Sequence, residues 1–153
     1  MKRRILDLRS AAEVIEETQR LRQGYNKTGN WNLSQICQHL DRTMQGGMDG
    51  FGFRIPWILR ATIVKWGFRY ALKKRTIYRG FPTFSILRPN GLSATEDDDD
   101  VVDQFLETCR RADAFVGPIE EYALLNEIAV DQWKDFMWLH ASHHLGFLVP
   151  DQA

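Results

Sequence analysis

The chain has 153 residues, 44% of them hydrophobic and 12% aromatic, which is enough apolar side chain for one real core and excludes a disordered chain. Twenty Lys and Arg balance twenty Asp and Glu, and with net charge zero and no recognised motif a nucleic-acid partner is not expected. Two cysteines, Cys37 and Cys109, are too few for a disulfide framework and read as buried free thiols in a reducing cytosol.

One domain, residues 1–153, is the expectation for this length. The N-terminus is basic at Lys2, Arg3 and Arg4, but no long apolar stretch follows, so it does not read as a signal peptide. The longest apolar candidate, residues 55–72, is interrupted by Arg60, Lys65 and Arg69 and does not suit a membrane span. A cytoplasmic protein is the expectation. Charge is unevenly placed along the chain. Residues 51–95 hold nine Lys or Arg and no Asp or Glu, whereas residues 96–153 hold fourteen acidic side chains against three basic ones. The basic middle either lies against acidic neighbours or forms a wall that attracts an anion.

The first helix opens at Ser10, where Ser10 and Glu13 have capping-box spacing, and Ala12, Val14, Ile15 and Leu21 supply an apolar face until Gly24. The second opens at Asn32. Asn32 and Gln35 repeat the capping logic, Trp31 and Ile36 fit a hydrophobic staple, and Ile36, Leu40 and Met44 lead to a stop at Gly46 and Gly47. His39 lies near the edge of that stripe. A basic helix follows over residues 56–74, with Ile58, Ala61, Val64, Phe68, Ala71 and Leu72 on one face and Arg60, Lys65, Arg69 and Lys73 on another. It reads as a partly covered helix with a wet side, and membrane contact is not expected. Residues 79–90 read as an irregular loop.

The third main helix is expected to begin near Ser93 or Thr95, which puts five consecutive acids, Glu96 and Asp97 to Asp100, in its first turn. They lack the alternating ligands, glycine and distal Glu of an EF-hand loop, so they read as structural. Val101, Val102, Phe105, Leu106 and Cys109 then form a buried face. The last helix, residues 131–148, places Trp133, Phe136, Met137, His140, His144 and Phe147 on one side.

His140 and His144 are four apart and stack one turn above the other on that core-facing stripe. Buried imidazoles need hydrogen bonds or a metal. A lone histidine on an apolar face is usually a satisfied core residue, but helices two and four of a bundle can be neighbours, which brings His39 opposite the pair. Two imidazoles at this spacing and a third from a neighbouring helix can form an open three-nitrogen metal site. His143 points about a quarter-turn away and reads as a supporting or surface residue.

The run from Trp31 to Leu40, with Trp133 and the run from His140 to Leu145, resembles the DinB-like superfamily, and more narrowly a bacterial branch of it known only as domains of unknown function. The correspondence spans nearly the whole chain. It implies an all-α four-helix bundle in up-down-down-up order, here with an additional basic helical segment between helices two and three. It also implies one divalent metal ion held by His39, His140 and His144. Characterised relatives include thiol-dependent transferases and isomerases using low-molecular-weight thiols, and some dimerise, so a homodimer belongs to the expectation. Where many members carry Arg-Gly-Gln after the last histidine, this chain has Leu145-Gly146-Phe147.

Three neutral imidazoles leave open positions on a cation that can acidify a bound water to about pKa 7 or hold a thiolate. Zinc or nickel leads the expectation, and iron, cobalt and manganese also suit histidine. Cys37 points to a different face from His39, and Cys109 lacks metal-binding spacing, which argues against a closed structural zinc. No catalytic base has a motif of its own; Asp41, Glu120 and Glu121 remain candidates. The leading reading is a metal-dependent hydrolase or thiol-dependent transferase acting on a small molecule, anionic or itself a low-molecular-weight thiol, with residues 54–79 receiving the anionic end. The alternative is a non-catalytic helical-bundle binding protein with a vestigial or stabilising metal site, whose basic helix binds a partner or a membrane.

Overall fold

Side-chain caps mark the starts of three of the helices in the computed structural model, which describes residues 2–78 and 83–151. Helix α1 (Ala11–Leu21) starts at Ser10, whose Oγ accepts from the Glu13 amide at 3.2 Å. The Glu13 carboxylate reaches one residue further back than a capping box requires and accepts from the Arg9 amide. Val14 and Leu21 are buried as expected, but Ala12 is exposed and Ala11 takes its place in the core.

Helix α2 (Leu33–Asp49) carries the full reciprocal cap, with Gln35 N–H donating to Asn32 Oδ1 and Asn32 N–H donating to Gln35 Oε1. It does not stop at Gly46 and Gly47 but continues to Asp49, with Gly50 at φ +95° ending it. The two glycines serve close approach instead. A Cβ on Gly47 would sit 2.2 Å from Trp133 Nε1, and one on Gly46 would sit 2.5 Å from the Phe51 ring.

The basic segment is two helices, α3 (Trp57–Ala61) and α4 (Ile63–Lys74). They break at Thr62, whose φ of −119° and ψ of −99° are not helical and whose hydroxyl donates to Ile58 O. The break turns Arg60 inward, so it is buried with Nε donating to Ile55 O rather than lining a wet face. Within the loop expected over residues 79–90, residues 79–82 lie outside the described residues, and Ser85–Leu87 form a 3₁₀ turn.

Helix α5 (Asp99–Ala114) begins later than expected because protein partners divide the acidic run. Ser93 Oγ accepts from the Thr95 and Glu96 amides. Asp97 accepts from the Ser34 amide at the start of α2 and from the Tyr25 hydroxyl. Asp98 caps α5 through the Asp100 and Val101 amides, and Asp99 and Asp103 pair with Arg22 of the α1 cap. The structural reading of this run therefore has named partners.

Helix α6 (Val130–Leu145) ends before Leu148, which instead belongs to strand β2 (Leu148–Pro150), antiparallel to β1 (Tyr25–Lys27). The reason lies at Gly146. The N-terminal arm crosses there, with Arg4 N–H donating to Gly146 O at 2.9 Å, and a Cβ would sit 2.7 Å from Arg4 O. Helix α6 is buried on more than the expected stripe, since Trp138, Leu139, Ala141, Ser142 and Leu145 are covered along with Trp133 and Met137.

The fold is thus mostly helical. Helices α1 and α2 each pack against both α5 and α6, enclosing a core that includes Val14, Leu21, Ile36, Leu40, Met44, Phe105, Cys109 and Trp133. Helix α4 lies outside, against α6. Cys37 and Cys109 are both buried and free, and burial raises both thiols. Among the described residues no helix is long and apolar enough to cross a membrane.

Candidate metal centre

The α2–α6 packing brings His39 opposite His140 and His144. His39 Nε2 stands 3.2 Å from His140 Nε2, which stands 3.0 Å from His144 Nε2. One nitrogen from each ring lies within 4.8 Å of the other two, and among the described residues no Cys, Asp or Glu joins this group.

Backbone chemistry orients the first ring. His39 Nδ1 is 2.8 Å from the Leu87 carbonyl oxygen, which can only accept, so Nδ1 carries the proton and Nε2 presents a lone pair to the cluster. The 3₁₀ turn after residue 84 thereby sets the tautomer of a residue in α2. Trp31 lies nearly parallel to His144 at 5.6 Å between centroids and tilts against His39 at 5.2 Å, while Phe136 lies parallel to His140 at 6.2 Å. These aromatic rings wall the cluster.

Burial pushes all three imidazoles below their ordinary value, His140 and His144 well below it, and at those two the neighbouring imidazoles add to the effect. The neutral ring is the form that ligates metal. Hydrogen bonding alone satisfies the cluster badly. A proton on His140 Nε2 can serve only one of its two neighbours, and among the described residues the buried His140 Nδ1 has no partner. A cation taking three lone pairs suits this donor set, so the residues fit a metal.

The remaining candidates fall elsewhere. His143 stands edge-on to His144 at 5.0 Å, with Nδ1 3.3 Å from Arg3 Nη2, and belongs beside the cluster rather than in it. The Asp41 carboxylate accepts from the Gln45 side chain, Glu120 and Glu121 are exposed beyond α5, and Cys37 is in the core. A cleft of about 980 Å³ has Lys2, Arg3, Lys74, Arg75 and His143 in its walls. Sequence reasoning missed Leu87, since a backbone carbonyl leaves no residue-type signal, and it missed Phe136 and Trp31 as walls because aromatic residues on a helical stripe or before a cap first suggest core and staple.

The sequence matches, over residues 1–151, the family model described as "Protein of unknown function (DUF1569)". Comparison with curated proteins finds no match, and comparison with solved structures finds none either. The chain therefore belongs to the DUF1569 family of uncharacterised domains, and its three histidines form a group that could hold a metal ion.

Proposed function

We propose that this protein is a divalent-metal-dependent enzyme of the DinB-like type, built on a four-helix bundle of α1, α2, α5 and α6, and that its reaction is thiol-dependent group transfer on a small molecule. The observation that carries the reading is the convergence of three Nε2 atoms, with the Leu87 carbonyl dictating the tautomer of one. The mutual packing of α1 and α2 against α5 and α6 supports the bundle.

A bound divalent cation supplies Lewis acidity and lowers the pKa of a coordinated water or thiol. The chain's own contribution is orientation and exclusion. Leu87 holds His39, and Trp31 and Phe136 keep water from the faces of His144 and His140. Among the described residues no carboxylate joins the cluster to act as a base, so a cation held by His39, His140 and His144 would itself have to acidify the nucleophile, and the resemblance to thiol-dependent relatives favours a thiol over water. Lys74, at the end of the basic segment, shares the cleft wall with His143 and suits the anionic end of a substrate, whereas Arg75 beside it is already paired with Asp7 and Asp135.

Elemental analysis of tag-free protein tests the site. Wild type is expected to hold about one zinc or nickel per chain, with His39→Ala and His144→Ala holding none. Metal-free wild type after dialysis against zinc, nickel and manganese would overturn the reading. A metal-loaded protein that transfers electrophiles to a low-molecular-weight thiol, and loses this in His144→Ala, would support the transferase. Ester or amide hydrolysis without thiol would replace it.

A further inference from the structure

Helix α4 carries apolar side chains on two opposite faces. Phe68 and Ala71 are buried, and the Phe68 ring lies 4.5 Å from Phe136 of α6. On the other side Ile63, Trp66 and Tyr70, at three- and four-residue steps, are 71%, 72% and 49% exposed. The preceding helix α3 adds Trp57 and Ile58, at 65% and 62%. Trp66 and Tyr70 stack on one another at 5.9 Å. Single exposed apolar residues are ordinary, but a run of large ones along one helix face marks an interaction surface.

Charge identifies the occupant. Lys65, Arg69 and Lys73 are exposed at four-residue steps along one flank of the Ile63, Trp66 and Tyr70 stripe, and Lys74 is exposed on the other. Residues 51–95 contain no acid, and the acid that shares a pocket wall with Lys65 and Arg69 is Glu127. A second copy meeting this face symmetrically would bring two cationic flanks together. Trp and Tyr set between Lys and Arg on an exposed helix face are the composition of a helix lying in a lipid interface, where aromatic rings enter the headgroup boundary and long cationic chains reach the phosphates.

We propose that the α3–α4 arm docks the protein on the surface of an anionic phospholipid bilayer. Trp57, Ile58, Ile63, Trp66 and Tyr70 enter the boundary between headgroups and acyl chains, and Lys65, Arg69 and Lys73 contact lipid phosphate. The site is independent of the histidine cluster and stands whether or not that cluster holds a metal.

Flotation of the tag-free full chain with vesicles of phosphatidylcholine, alone or mixed with phosphatidylserine, tests it. The protein is expected to float with the mixed vesicles, less so at high salt, and weakly or not at all with phosphatidylcholine alone. The double variant Ile63→Ser, Trp66→Ser is expected to bind roughly tenfold more weakly or worse. Neutralising Lys65, Arg69 and Lys73 to Gln is expected to cost up to roughly fivefold per cation and to remove the preference for phosphatidylserine. Since these side chains are exposed, thermal melting and metal content should match wild type, which separates lost binding from misfolding. No flotation with either vesicle, or flotation unchanged in the Ile63→Ser, Trp66→Ser variant, overturns the proposal. A concentration-dependent dimer abolished by Trp66→Ser, without vesicle binding, assigns the face to a second copy and overturns it as well.

Discussion

Helices α6 and α4 are both rich in aromatic side chains, yet they spend them in opposite ways. In α6, Trp133 and Trp138 are almost wholly buried; in α4, Trp66 is 72% exposed. The difference is set by neighbours rather than by composition. Helix α6 is packed by α1, α2 and α4, and the N-terminal arm reaches it where Leu8 N–H donates to Ser142 Oγ, whereas among the described helices and strands α4 packs chiefly against α3 and α6. An aromatic stripe therefore reports that a face can be buried, not that something covers it.

Substitutions in the two helices should break or sharpen this contrast. The largest effect is expected for Trp133→Ala, which empties a fully buried site above Gly47 and should cost about 3–5 kcal/mol in urea unfolding. A loss under about 1 kcal/mol would mean that the core is looser than it looks. Acid should act next, and only on the packed region. Burial holds His39, His140 and His144 below the ordinary imidazole value, so below about pH 6.5 the unfolded chain binds more protons than the folded one. The metal-free protein should keep this stability above about pH 6.5 and lose it as pH falls towards the folded-state values. Urea midpoints measured across that interval should fall for wild type and fall less for His144→Gln.

Two helical glycines make a paired test. Gly47→Ala drives a methyl into Trp133 and should destabilise by about 1–3 kcal/mol. Gly67→Ala in α4 meets nothing within 4 Å among the described residues and should stabilise by about 0.5–1 kcal/mol. Equal signs for the pair would erase the distinction between a packed and an open helix. The smallest effect belongs to Trp66→Ser, whose thermal and urea unfolding should match wild type to within about 0.5 kcal/mol. A larger loss would place Trp66 in contacts that its exposure denies.

Local chemistry in the chain determined much of this. The caps at Ser10 and Asn32, the buried face of Val102, Phe105, Leu106 and Cys109, and the one-turn spacing of His140 and His144 all depend on residues within a few positions of each other, so they are legible without the fold. His39 could be named as a partner because two periodic helices of a bundle have few ways to meet, and its Nε2 does stand 3.2 Å from that of His140. What only tertiary structure decided depends on distant segments. Trp133 of α6 turned Gly47 from a stop into a packing site, Asp97 went to the start of α2 instead of the start of α5, and the arm at Arg4 ended α6 at Gly146. Leu87 set a histidine tautomer from 48 positions away. The outward apolar face of α4 belongs with these, because exposure is a property of what lies opposite a residue, and no local pattern encodes its absence.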